Sequence, residues 1–101
     1  MIVTAAQPKQ KSFISGFHLE RNHPDPFNET TMIKINLPCR SKLTVVITNA
    51  YGKVVDKMIS SEHEAGTCVL EFVADKLPRG TYFCHVVADR FSDTREMELV
   101  R

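Results

Sequence analysis

Leu43-Thr44-Val45-Val46-Ile47-Thr48-Asn49-Ala50-Tyr51-Gly52 decides the fold. Leu43, Val45 and Ile47 alternate with Thr44, Val46 and Thr48, a period of two that puts the two trios on opposite faces of a strand. The run is rich in β-branched residues, whose restricted χ1 disfavours helix and suits a pleated surface. Asn49 to Gly52 then punctuates it as a turn. The segment reads as a central strand.

The same alternation extends in both directions. Upstream, Ile33, Ile35 and Leu37 share one face, with Met32, Lys34 and Asn36 on the other. Downstream, Cys68, Leu70 and Phe72 alternate with Val69, Glu71 and Val73, and Tyr82, Cys84 and Val86 with Phe83, His85 and Val87. Met97 and Leu99 alternate with Glu96, Glu98 and Val100. A weaker strand over 53–59 has a polar tail and reads as an edge or a crossing between sheets; Phe17 to Glu20 makes a seventh strand. Turn residues recur about every ten positions, at His23-Pro24-Asp25-Pro26, Leu37-Pro38-Cys39, Ala65-Gly66, Leu77-Pro78-Arg79-Gly80 and Asp89-Arg90. This pattern predicts an all-β fold, an immunoglobulin-like seven-stranded antiparallel β-sandwich with Greek-key connections. Tyr82, entering a late strand after the 77–80 corner, is expected to bond its hydroxyl to nearby backbone as a tyrosine corner.

Composition sets the limits. The 101 residues carry 13 basic and 12 acidic side chains, a formal charge of +1, with 43% hydrophobic residues. That suits one globular domain, placed at 17–101, behind a linker or frayed N-terminal segment over 1–16. The charge balance lacks the basic excess expected for nucleic acid, and no apolar run is long enough for a transmembrane segment. The N-terminal residues hold neither a basic n-region nor an apolar h-region, so no export signal is read in this chain.

Catalytic constellations are missing. There is no G-x-S-x-G, only four glycines, and His63-Glu64-Ala65-Gly66-Thr67 fails the H-E-x-x-H pattern at its last position, so a noncatalytic protein is expected. His18, His23, His63 and His85 with three cysteines have the donor chemistry for zinc, but Cys84 and His85 alternate to opposite faces. Asp25, Asn28 and Glu29 could offer oxygens to calcium but fall short of an EF-hand loop. No metal and no cofactor are expected. Cys68 and Cys84 share the parity of core residues and read as small buried hydrophobes, with a disulfide between them as the sharper alternative; Cys39 sits in a turn. Arg90, Arg95 and Arg101, with Lys76 and Arg79, read either as a solvated face or as a docking cluster for an anionic partner.

The segment from Leu19 to Ile33, with Asn22, Pro24, Pro26, Phe27 and Asn28 followed by Thr30 and an alternating strand, resembles the opening of a known family. This is the C-terminal sorting domain (type A, Por secretion tail) of type IX secretion cargo from Bacteroidetes-type bacteria. His23 replaces the family's usual aromatic and Asp25 its usual Asn. The resemblance continues through Leu37-Pro38, Asn49 to Val55, Gly66, the 77–83 motif and the terminal strand ending in Arg101, covering residues 17–101. Glu96 stands where the family commonly has a basic residue, with Arg95 beside it.

The resemblance implies a secretion signal domain that directs an attached cargo protein across the outer membrane. Its implied partners are the outer-membrane translocon and sortase proteins of the type IX system. The cargo would reach the periplasm by its own N-terminal signal and end secreted or at the cell surface. A sortase-type peptidase would cut among Ala5 to Gly16, and the missing N-terminal cargo suggests an excised fragment or a truncated reading frame. The implied partner-binding residues are Asn22, Pro24, Pro26, Phe27, Asn28, Gly80, Tyr82, Arg95, Met97, Leu99 and Arg101. The two prolines fix φ and restrict the residues before them, so Phe27 would be held rigidly, either as a docking residue or as a plug at the end of the core. The final strand is expected to offer an edge for β-augmentation or dimerisation, with Arg95 and Arg101 steering by charge. Two alternatives are a structural Ig-like scaffold related to the C-terminal domain of the flagellar hook-capping protein, and an accessory sugar-binding β-sandwich. Against the latter stand the absence of Trp and a count of only two Tyr.

Overall fold

A computed structural model describes residues 16–101. The reading of 1–16 as a linker, and of a cleavage point among Ala5 to Gly16, lies outside the described residues except at Gly16 itself. Seven strands run β1 (His18–Leu19), β2 (Thr30–Leu37), β3 (Ser41–Asn49), β4 (Val54–His63), β5 (Gly66–Val73), β6 (Gly80–Ala88) and β7 (Phe91–Leu99). They form a three-stranded sheet in the order β1-β2-β5 and a four-stranded sheet in the order β4-β3-β6-β7, with every strand pair antiparallel. The chain changes sheets after β2, β4 and β5, so strands distant in sequence pair as β2 with β5 and β3 with β6. This is the immunoglobulin-like sandwich that alternation and turn spacing imply.

The alternation translates directly into burial. Ile33, Ile35, Leu37, Leu43, Val45, Ile47, Phe72, Cys84, Val86, Met97 and Leu99 fill the space between the sheets, each at most 4% exposed. Cys68 and Leu70 share that face but are only half-buried, because β5 lies at the rim of its sheet. The core also takes in Leu19, Phe27, Ala74 and Ala88. β4 occupies a sheet edge, as its polar tail suggests, and runs four residues past the expected end to His63. Its pairing with β3 shifts register between Val45 and Val46 and again between Ile47 and Thr48.

The cysteines are all free, Cys39 exposed, Cys68 partly buried and Cys84 buried, so the Cys68–Cys84 disulfide is not formed. Burial pushes the Cys84 thiol up to about 12. The basic residues read as one cluster are divided along β7, with Arg101 donating to the carbonyls just before Lys76. Arg90 lies in the β6–β7 turn and Arg101 beyond the other end of β7, a separation of roughly 30 Å along an extended strand.

Candidate functional site

The segment between β1 and β2 leaves one sheet and returns by way of the other. His23 pairs with Met32 across β2 through two backbone hydrogen bonds of 3.0 and 2.9 Å. The chain then crosses to the outer edge of β7. There the Phe27 amide donates to the Glu98 carbonyl at 2.9 Å and the Val100 amide donates to the Phe27 carbonyl at 2.8 Å, a parallel bridge to Leu99. Between these attachments the Asp25 carboxylate accepts from the Glu98 amide at 3.0 Å. The Glu29 carbonyl then accepts from the Ala74 amide at 2.8 Å, just after β5. One loop therefore stitches the two sheets together along the side where β1 and β7 face each other.

Buried polar contacts hold the loop's shape. Asn22, 5% exposed, donates through Nδ2 to the Thr31 hydroxyl at 3.1 Å and to the Pro24 carbonyl at 3.3 Å. The Thr31 hydroxyl itself donates to the same carbonyl at 2.8 Å. Each buried polar group thus finds a partner, without which its desolvation would count fully against folding. The His23–Pro24 and Asp25–Pro26 peptide bonds are both cis, and the two proline rings face solvent. Phe27 at the loop's end is 1% exposed and packs edge-to-face on Phe72, ring centroids 6.0 Å apart. Of the two readings of Phe27, its position is that of the core plug.

Arg95 makes the second tie between the sheets. It pairs with Cys84 across β7 and β6 and so points inward, in line with Met97 and Leu99. There the side chain meets the backbone of the short β1 across the sandwich. Its Nε and an Nη donate to the Leu19 oxygen at 3.1 and 2.9 Å. At the far end of β7, Arg101 donates to the Asp75 carbonyl at 3.1 Å and to the Ala74 carbonyl. Both arginines are engaged with this chain's own backbone.

The tyrosine corner is formed: the Tyr82 hydroxyl donates to the Pro78 carbonyl at 2.6 Å, four residues upstream. Burial raises the Tyr82 pKa, and nearby Arg101 acts in the opposite direction. Gly80, which opens β6, adopts a φ of +145°, a conformation that side-chain-bearing residues rarely take.

The proposed partner-binding residues therefore separate by exposure. Asn22, Phe27, Tyr82, Met97 and Leu99 are buried, so their side chains shape the domain from within. Pro24, Pro26, Asn28 and Arg101 are exposed, and Gly80 and Arg95 partly so. The expected free edge of β7 needs correction, because Asp25 and Phe27 already occupy its C-terminal half. Where the loop meets β7 lies an open polar cleft of about 370 Å³, lined by Arg21, Asn22, Asp25, Thr94, Arg95, Glu96, Met97 and Glu98. Sequence reasoning gave Thr31 and Glu98 no role in this region, and singled out Asp25 only as a calcium-ligand candidate and a motif position. Thr31 carried a usable signal, since it shares parity with Ile33 and Ile35 and is fully buried. No group of three or more His, Cys, Asp or Glu is gathered closely enough to hold a metal ion among the described residues. Asp25, once weighed as a calcium ligand, instead accepts from β7 backbone.

The model of the secretion system C-terminal sorting domain family, Por_Secre_tail, matches residues 22–97. The match begins on the stitching loop and ends within the strand to which it is stitched. The chain belongs to this sorting-domain family. A search of curated proteins finds no significant match. Membership makes the domain a type IX secretion sorting signal, a class that is generally noncatalytic and acts with the secretion machinery in export across the outer membrane. No helix among the described residues is long and apolar enough to cross a membrane.

The family's departures in this sorting domain are accommodated by the geometry. His23 contributes its backbone to the bridge with Met32 while the residue is exposed, so an aromatic side chain is not required there. Asp25 uses one carboxylate oxygen to accept a backbone proton, as the amide oxygen of Asn would.

Proposed function

We propose that this sorting domain is read by the outer-membrane translocon on the surface where the Asn22–Asn28 loop docks onto β7. A sortase-type peptidase then cuts on the N-terminal side of the sandwich, between Ala5 and Gly16, freeing the cargo for surface attachment or release. The observation carrying this reading is the convergence of the two ends of the family motif set. The loop and the last strand, far apart in sequence, together build the polar cleft beside Arg95.

Recognition of a preformed surface avoids the entropy of ordering a peptide during docking. The exposed Pro24, Pro26 and Asn28, with Arg21 and Glu96 at the cleft, supply the contact chemistry. The buried Asn22, Phe27, Met97 and Leu99 hold that surface in shape. Charged groups of both signs in the cleft favour a partner carrying a complementary pair over a purely anionic one.

The test fuses residues 5–101 behind a periplasm-targeted fluorescent reporter, expressed with and without a working type IX translocon. Reporter at the surface or in the medium only with the translocon is the expected outcome, and the mass of the released reporter locates the cut. Retention in the periplasm of a fusion whose thermal melt shows it folded overturns the reading.

A further inference from the structure

Each sandwich has four sheet edges to protect, and three of these are protected in recognisable ways. β7 is covered over its C-terminal half by the Asp25–Phe27 loop and carries Asp93 and Arg95 before it, β1 is only two residues long, and β4 combines two register shifts with Asp56, Lys57 and Glu62. β5 has none of these devices. It is eight residues long, pairs continuously with β2 without a register shift, contains no proline and carries Glu71 as its single charge. Among the described residues it pairs with no strand on its other side.

The hydrogen-bond phase identifies the groups presented at that edge. On β2, Lys34 and Met32 direct backbone groups toward the β1 side, where the Glu20 and His23 amides donate to them. The alternate residues of β2 therefore face β5, engaging Cys68, Leu70 and Phe72. The Ala74 amide continues this phase by donating to Glu29. Thr67, Val69, Glu71 and Val73 consequently aim their N–H and C=O groups outward. Val69 and Val73 are each 49% exposed on the outer face, and Leu70 and Cys68 are half-buried on the inner face. The unpaired edge thus carries uncovered apolar surface on both sides.

We propose that β5 pairs with β5 of a second copy of this chain, antiparallel about a two-fold axis through Val69, joining two three-stranded sheets into one of six strands. In this register Val69 opposes Val69 of the second copy as a hydrogen-bonded pair. Glu71 falls opposite Thr67, and Leu70 opposite Cys68, twice each by symmetry. No like charges are opposed, whereas a register centred on Glu71 would set two carboxylates face to face. The formal charge of +1 leaves little long-range repulsion between copies. A single strand pair is a small interface, so the dimer is weak and reversible, half-formed at a concentration on the order of 100 μM.

The test is sedimentation equilibrium on the full chain from about 10 μM to about 1 mM, a span that brackets that affinity. A monomer–dimer equilibrium is expected, with amide exchange at Val69 and Glu71 slowing as concentration rises. Val69→Glu, which sets two carboxylates opposite each other at the centre of the pair but faces Lys34 within its own chain, should weaken dimerisation at least about tenfold while keeping the monomer's melt. Thr67→Lys should instead tighten it, by about three- to tenfold, because each new ammonium faces Glu71 of the other copy. A chain that stays monomeric throughout overturns the proposal. So does weakening by Thr67→Lys comparable to that by Val69→Glu, which would indicate nonspecific adhesion. Slow exchange at Val69 and Glu71 independent of concentration also overturns it, since the edge would then be covered from within the chain.

Discussion

Phe27 and Tyr82 both anchor the framework near the C-terminal end of β7, by different physics. Phe27 fills space against Phe72 at 1% exposure, so Phe27→Ala leaves a cavity and should cost about 3–5 kcal/mol in urea unfolding. Tyr82→Phe keeps the ring and removes the bond to Pro78, leaving that carbonyl short of a partner; about 1–2 kcal/mol is expected in the same measurement. Secretion defects in either variant are informative only beside these melts. Cys84 adds a pH dependence. Its folded pKa is raised from 9.0 to about 12, so the thiol stays protonated in the fold after the unfolded chain has ionised. Above pH 9 the unfolded state binds fewer protons, and the contribution of Cys84 to stability falls as pH rises toward 12. Unfolding midpoints measured across that window should decline, and Cys84→Ala should flatten the decline. Thiol labelling at neutral pH should modify exposed Cys39 rapidly and Cys84 only on unfolding.

At the scale of elements, the loop and β7 behave as one unit. Arg95→Ala removes both donors to the Leu19 carbonyl and should speed amide exchange locally around β1, while exchange in β3 and β6 stays at the global rate. Asp25→Asn should be nearly neutral, since an amide oxygen can accept from Glu98, whereas Asp25→Ala leaves that amide without its acceptor and loosens the loop; denaturant melts of the pair distinguish them. The individual strands were readable because side-chain parity maps onto burial whenever a strand has one wet face, as in Ile33, Ile35 and Leu37. The attachment of the loop was not readable. It depends on backbone amides and carbonyls at Phe27, Glu98 and Val100, and every residue but proline carries both groups. Arg95 lay between these cases: its parity with Met97 points inward, but only the Leu19 carbonyl across the sandwich explains how a guanidinium is tolerated there.

For the whole molecule, seven strands and their punctuation specify a two-sheet sandwich, while the order of strands within each sheet follows from pairings across the chain such as Ile33 with Leu70. The candidate surface emerged in the same divided way. Its motif residues were visible as a series, but which of them face outward was set by three-dimensional packing that buries Phe27, Met97 and Leu99 and leaves Pro24, Pro26 and Asn28 exposed. The bridge between Phe27 and Leu99 has a consequence in time as well as space. A ribosome delivers the loop early and β7 late, and until Leu99 has emerged the loop has no strand to rest on. A chain terminated before Leu99 therefore cannot assemble this surface, so an assembled surface certifies that translation passed through β7.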